Sequence, residues 1–221
     1  MQTMKIPSDD PLSAAAGLTA AAAFGHVDTW VFDLDNTLYP ADSALWPQID
    51  DRITAYLMEL YGLDGLAARA LQKHFYQRHG TTLRALIDHG DADPDHFMDF
   101  VHDIDRSSLA ADARLHAALS KLPGRRLILT NGSERHAEET AKALGILEHF
   151  DAIFDIKAAA YIPKPEAVAF QKFFERHGVD PTRAAMFEDL VRNLEVPHAA
   201  GMRTVLIRPR AGVVDKRDEW E

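Results

Sequence analysis

The chain has 221 residues, the length of one ordinary domain or of one domain carrying an insert. Its 47% hydrophobic and 26% charged residues are globular proportions, which excludes a disordered or fibrous bulk. With 34 acidic against 24 basic residues, a net charge of -10, no basic stripe and no Cys, it is not expected to bind nucleic acid, and disulfides, thiolate nucleophiles and Cys-ligated zinc are excluded.

Residues 11–24 (PLSAAAGLTAAAAF) are small and apolar, but Asp9 and Asp10 stand directly before them and Ala is only weakly hydrophobic. They read as part of an N-terminal extension over 1–25, not as a signal peptide. No stretch reaches the 18 or more strongly apolar residues of a membrane span, so a soluble, cytoplasmic protein without a membrane partner is expected. Thr29-Trp30-Val31-Phe32 reads as a buried strand stopped by the turn formers of Asp33-Leu34-Asp35-Asn36-Thr37. Over residues 42–111 the period changes. Leu45, Ile49, Ile53, Leu57 and Leu60 recur at helical spacing, and Gly62 closes that helix. Further helices are expected near 64–79, 81–89 and 94–104, and this block holds five of the eleven His. From residue 112 onward helices and strands alternate. Leu115, Leu119 and Leu122 mark a helix, 126–130 a strand, and Ser133 opens a helix that Gly145 ends. A short strand near 152–155, a helix over 166–176, a strand over 184–187, a helix over 190–200 and a strand over 203–207 complete the order. Alternation of this kind predicts an α/β fold with a parallel sheet and right-handed crossovers. The core is then 26–41 and 112–210, interrupted after its first strand by a helical insert over 42–111 and followed by a polar tail over 211–221.

Ligands of parallel sheets bind at the carboxyl ends of the strands. Asp33 and Asp35 follow the first strand, and Thr130 and Asn131 follow the second. Lys164 lies in Ile162-Pro163-Lys164-Pro165 after the third, and the fourth runs into Glu188 and Asp189. Carboxylates, a lysine and a hydroxyl converging on one crevice suit phosphoryl transfer, which needs a nucleophile, a cation and donors for the equatorial oxygens. In Asp-x-Asp on an extended backbone both side chains point the same way. One carboxylate can attack phosphorus while its neighbour handles the proton of the leaving oxygen. A hard cation such as Mg²⁺ relieves their repulsion.

The run Val31-Phe32-Asp33-Leu34-Asp35-Asn36-Thr37-Leu38-Tyr39 resembles the first motif of the haloacid dehalogenase-like (HAD) hydrolase superfamily. Thr130-Asn131-Gly132, Lys164 of Pro163-Lys164-Pro165, and Phe187-Glu188-Asp189-Leu190-Val191-Arg192-Asn193-Leu194 are similar to its second, third and fourth motifs, in order, over about 28–207. Asp-Leu-Asp-Asn-Thr-Leu-Tyr with Phe-Glu-Asp-x-x-x-Asn-Leu further resembles the pyrimidine 5′-nucleotidase branch. The resemblance implies a Rossmann-like parallel sheet core with a helical cap. It implies Asp33 as nucleophile and Mg²⁺ ligand, and Asp35 as general acid/base lending its backbone carbonyl to the metal. Thr130, the Asn131 backbone and Lys164 are expected at the phosphate, and Asp189 as the third protein ligand of Mg²⁺. Glu188 is expected at or just outside the metal's immediate ligands, and Asn193 behind them. The dehalogenase branch lacks a carboxylate at the position of Asp35, so its presence here points to a phosphatase.

Taken singly, each of these features has a plainer reading: turn or cap residues after a strand, a rigid Pro-Lys-Pro segment with a solvated Lys, helix N-terminal acids. Their joint order at successive strand ends is what favours catalysis. The histidines carry no such pattern. His74 and His79, at i, i+5, do not share a helix face, and His136, just past the second motif, is expected to be solvated or capping in preference to approaching the phosphate. Phe75, Tyr76, Phe97 and Phe100 read as helix core. The expected activity is a Mg²⁺-dependent phosphomonoesterase acting through an aspartyl phosphate on a small phosphorylated substrate, with UMP or CMP implied by the branch. A sugar-phosphate or phosphoglycolate phosphatase, a phosphomutase, a non-catalytic phosphate-binding protein and a response-regulator-like switch stay open, as does the oligomeric state.

Overall fold

The computed structural model describes residues 23–209, so the polar tail and all but the last three residues of the N-terminal extension lie outside the described residues. β1 (Thr29–Phe32) is followed by the helical insert, made of α1 (Leu45–Tyr61), α2 (Gly65–His79), α3 (Thr82–His89) and α4 (Pro94–Val101). The chain continues with α5 (Ala113–Leu119), β2 (Arg125–Leu129), α6 (Glu134–Ala143), β3 (Ala152–Phe154), α7 (Ala167–His177), β4 (Ala184–Glu188), α8 (Val191–Ala199) and β5 (Arg203–Leu206). All five strands are parallel, in the order β3-β2-β1-β4-β5. The α/β architecture with its helical insert is the one expected. Several boundaries shift by one to three residues; the helix expected over 94–104 stops at Val101, and the one marked by Leu115, Leu119 and Leu122 stops at Leu119. Beyond Val101 the Gln48 side chain takes both polar groups of the Asp105 backbone, at 2.9 Å each.

β1 sits in the middle of the sheet and is buried along its whole length, which is why it is a continuous apolar run. Its side chains alternate between two cores. Trp30 and Phe32 join Ile128, Ala137 and Ala141 on one face, while Val31 joins Leu127, Phe170 and Phe173 on the other. A third apolar cluster lies within the insert, where Leu57, Phe75, Leu86, Phe97 and Val101 meet Ile156 of the sheet region. The insert helices carry their own start and stop signals. Asp64, Thr81 and Asp93 accept backbone N–H groups at their N-termini, and Gly62 and Gly90 end α1 and α3 at positive φ.

Register places the site. Phe32 of β1 stands opposite Ile128 of β2 and Phe187 of β4, so the next residues, Asp33, Leu129 and Glu188, come level at the carboxyl edge. The Asp33 N–H continues the ladder by donating to Phe187 O at 2.9 Å.

Candidate active site

Lys164 Nζ lies in the middle of that edge and donates to all three strands. It is 2.7 Å from Asp33 Oδ1, 2.7 Å from Glu188 Oε2 and 2.9 Å from Leu129 O. Its segment is pinned by Asn131, whose Oδ1 accepts from the Lys164 N–H at 2.8 Å and whose Nδ2 donates to Lys164 O at 3.1 Å. The ammonium and both carboxylates are buried. Burial alone would lower the Lys164 pKa, but the two anions outweigh it and keep the lysine charged. Asp33 moves the other way. Burial and the Glu188 charge raise it to about 7 against the opposing pull of Lys164. Glu188 is likewise raised by burial, with Lys164 opposing and Asp189 adding to the rise.

Asp35 leaves this cluster for a different set of partners. Its Oδ1 accepts from Tyr39 Oη at 2.6 Å and lies 2.8 Å from His136 Nε2. Burial opposes its charge, yet the imidazole and the phenol beside it hold the carboxyl well below the usual range. Tyr39 is pushed well above its ordinary value by burial and by Asp35, so it remains a donor. The two carboxylates of the Asp-x-Asp pair are thus split by their surroundings, Asp33 towards the neutral form and Asp35 towards the anion.

Oxygen atoms of Asp33, Glu188 and Asp189 lie within 4.8 Å of one another. An all-oxygen set with this much negative charge fits a hard cation such as Mg²⁺. Asn193 adds to the fit: it lines the same cavity, and its Oδ1 is buried with no hydrogen-bond partner. Glu188 therefore stands among the candidate ligands, beside Asp33 and Asp189. The Asp35 carboxylate does not; only its backbone carbonyl was expected to serve. Thr130 is buried, and its Oγ1 accepts the Gly132 N–H at 2.9 Å. Asn131 and Gly132 line the cavity.

The cavity, about 160 Å³, runs from these carboxylates into the insert, where Trp46, Ile53, Gln72, Tyr76 and Phe97 line it. Tyr76 and Phe97, read from the sequence as core, belong to its wall as well. Arg192, on the first turn of α8, stacks over the Tyr76 ring at 4.5 Å and donates to its hydroxyl, joining sheet region and insert across the cleft. His136 corrects the expectation of a solvated or merely capping histidine, since it is fully buried against Asp35. Its signal was present in the pattern His136, Ala137, Thr140, Ala141, the buried face of α6 at helical spacing. His116 and His149 also come together, with Glu148 beside them, on the exposed surface.

A family model described as haloacid dehalogenase-like hydrolase matches residues 27–201. Phosphate metabolism protein 8 of Saccharomyces cerevisiae is 26% identical over 193 residues, 79% of this chain and 60% of that protein, so the chain spans about three fifths of the length of this curated relative. A HAD phosphatase from Thermococcus onnurineus superposes with a TM-score of 0.57 at 18% identity, covering 86% of this chain and 90% of the other. An L-2-haloacid dehalogenase from Xanthobacter autotrophicus superposes with a TM-score of 0.52 at 16% identity, covering 82% and 77%. These two likenesses establish the fold and span both chemistries. With the motif residues assembled at one sheet edge and the family match running through all of them, the chain belongs to the haloacid dehalogenase-like hydrolase family.

Proposed function

We propose that the protein is a Mg²⁺-dependent phosphomonoesterase that works through an aspartyl phosphate on Asp33. The observation that carries this reading is the division of labour around the Asp-x-Asp pair: Asp33 shares Lys164 with Glu188, while Asp35 is held apart by Tyr39 and His136. A dehalogenase needs the first carboxylate alone. A phosphatase needs the second one, because an alkoxide leaving group requires a proton.

Asp33 attacks phosphorus, the bond to the leaving oxygen breaks, and Asp35 delivers its proton to that oxygen. Water then attacks the phosphorus of the aspartyl phosphate, giving its proton to Asp35 and releasing Asp33 and inorganic phosphate. Lys164 stays charged throughout and screens the nucleophile from the phosphoryl oxygens. Asp33, Glu188 and Asp189 would hold Mg²⁺, with Asn193 behind them and the Asp35 carbonyl as a further donor. The bound cation supplies charge neutralisation at the phosphoryl group. With cation and substrate in place, Asp33 would serve as an ionised ligand and nucleophile, and the phosphoryl charge beside Asp35 would favour the proton it delivers. The Thr130 hydroxyl and the Asn131 backbone remain the proposed holders of the phosphoryl oxygens.

For the substrate we favour a pyrimidine nucleoside 5′-monophosphate, UMP or CMP, in a cytoplasmic protein. The aromatic wall of Trp46, Tyr76 and Phe97, with Gln72 and Arg192 as polar groups, suits a planar base. The name of the yeast relative, with phosphate metabolism in it, is in keeping with a small phosphorylated substrate. The modest cavity volume favours the second reading, a sugar-phosphate or phosphoglycolate phosphatase. Phosphate release with Mg²⁺ across UMP, CMP, AMP, GMP, phosphoglycolate and sugar phosphates separates them, with Asp33→Asn as the blank. Preference for UMP and CMP is the expected outcome. Preference for sugar phosphates would keep the chemistry and remove the nucleotidase assignment, and no release from folded protein would remove both.

A further inference from the structure

The surroundings of Asp35 hold more polar order than a free acid/base needs. His136 is fully buried, and its other ring nitrogen, Nδ1, lies 2.9 Å from a terminal nitrogen of Arg106. A guanidinium can only donate, so Nδ1 is the acceptor and the ring carries its hydrogen on Nε2, the atom facing Asp35. Asp35 Oδ1 thus receives two donors, the His136 N–H and the Tyr39 hydroxyl. That leaves Oδ2 as the oxygen able to carry a proton to or from the reacting group. The ring is fixed from several sides. It stacks on His102 at 4.2 Å with 8° between the planes, and a Cβ on Gly132 would stand 3.1 Å from its Cδ2, tighter than an ordinary contact, so a larger residue there would push on the ring. His102 caps α4 at the end of the insert, and its Nδ1 is 2.9 Å from Ser133 Oγ, the N-cap of α6. Arg106 lies on the chain returning from the insert to the sheet, donates to His102 O at 3.2 Å and pairs with Glu139 at 2.9 Å.

We infer that His136 is a positioning residue that turns Oδ2 of Asp35 towards the leaving oxygen, and that His102 and Arg106 set His136, so the seating of the insert governs the aim of the proton donor. The inference rests on the phosphatase reading above. It explains why two histidines and an arginine are gathered at the junction of insert and sheet, beside Asp35.

The test is leaving-group release in a single turnover with Mg²⁺. It compares a primary-alkyl monoester such as UMP, whose leaving group needs a proton, with p-nitrophenyl phosphate, whose leaving group departs as a stable anion. His136→Leu is expected to slow the alkyl ester about 10- to 100-fold while slowing p-nitrophenolate release less than about threefold. His136→Gln, which keeps an N–H donor near the place of Nε2, is expected to recover most of the alkyl rate. His102→Leu leaves the donor in place but removes its stacking partner, and is expected to give a smaller loss of the same selectivity. It carries the test if His136→Leu does not fold. Equal losses on both esters, or no loss on either, would overturn the positioning role while leaving the phosphatase intact. A wild-type protein that releases neither leaving group would overturn the phosphatase reading and this role with it.

Discussion

The sheet edge and the helical insert face each other across one cavity and are held together by opposite means. At the edge, Lys164, Asp33 and Glu188 form a buried charged cluster whose members satisfy one another within 2.7 Å. In the insert, stability comes from an apolar cluster around Leu57, Phe75 and Leu86, and polar contacts to the sheet region sit at the rim. Arg192 meets Tyr76 on one side of the cleft, while Lys157 and Tyr161 meet Asp95 on another at 2.6 and 2.5 Å. Charges locked into strand ends can hold a reaction geometry, since removing one leaves its neighbours uncompensated in a dry site. Away from the junction where His102 and Arg106 meet His136, an apolar bundle tied down at its rim can change side chains without disturbing that geometry. On the proposed function, the contrast puts the bond-breaking groups at the edge and leaves the choice of leaving group to the insert.

The largest effect is expected at the edge. Asp33→Asn should lower phosphate release about 10⁴-fold or more with the circular dichroism spectrum unchanged, because it removes the proposed nucleophile and keeps the shape. Substantial residual turnover would move the nucleophile elsewhere. Next comes pH. Asp33 is raised to about 7 in the metal-free site, and a ligand carboxyl must lose its proton before it binds a cation. Below about pH 7 the proton therefore competes. Mg²⁺ affinity measured by calorimetry should fall up to about tenfold per pH unit going down from 7, level off above it, and lose this dependence in Asp33→Asn. A flat profile across that range would mean either that Asp33 is not a ligand or that it is already ionised there. The smallest effect belongs to the insert. Tyr76→Phe removes the hydroxyl that Arg192 reaches, a net hydrogen bond of about 0.5–1.5 kcal/mol. It should raise KM for UMP about two- to twelvefold and leave kcat with p-nitrophenyl phosphate nearly unchanged. A fall in kcat on both substrates would break the division between the two regions.

Much of this was legible along the chain because parallel strands impose their own pattern. Thr29–Phe32 is buried at every position, and its three apolar residues run without a break since it is covered on both faces; its end is marked by Asp33 and Asp35. The cap signals at Asp64, Thr81, Asp93 and Ser133 are local, so the helices of the insert could be bounded from sequence with small errors. The early end of α4 is followed by a contact no local pattern records, Gln48 bonding to Asp105 57 residues away.

The order of strands and helices, the Asp-x-Asp pair and the stations of Lys164, Glu188 and Asp189 follow from sequence alone, because periodicity and turn chemistry are set by near neighbours. Tertiary structure decided what each charged group meets. Lys164 bonds to residues 131, 35 and 24 positions away, and only the register of three strands brings them level. His136 reaches Asp35 across 101 positions and His102 stacks on it from the far end of the insert. Burial raises both carboxyls of the pair, and their different partners then decide the outcome: Glu188 adds to the rise at Asp33, while His136 and Tyr39 reverse it at Asp35. Local sequence carries no record of that, since desolvation and field depend on what packs around a group and not on what precedes it in the chain.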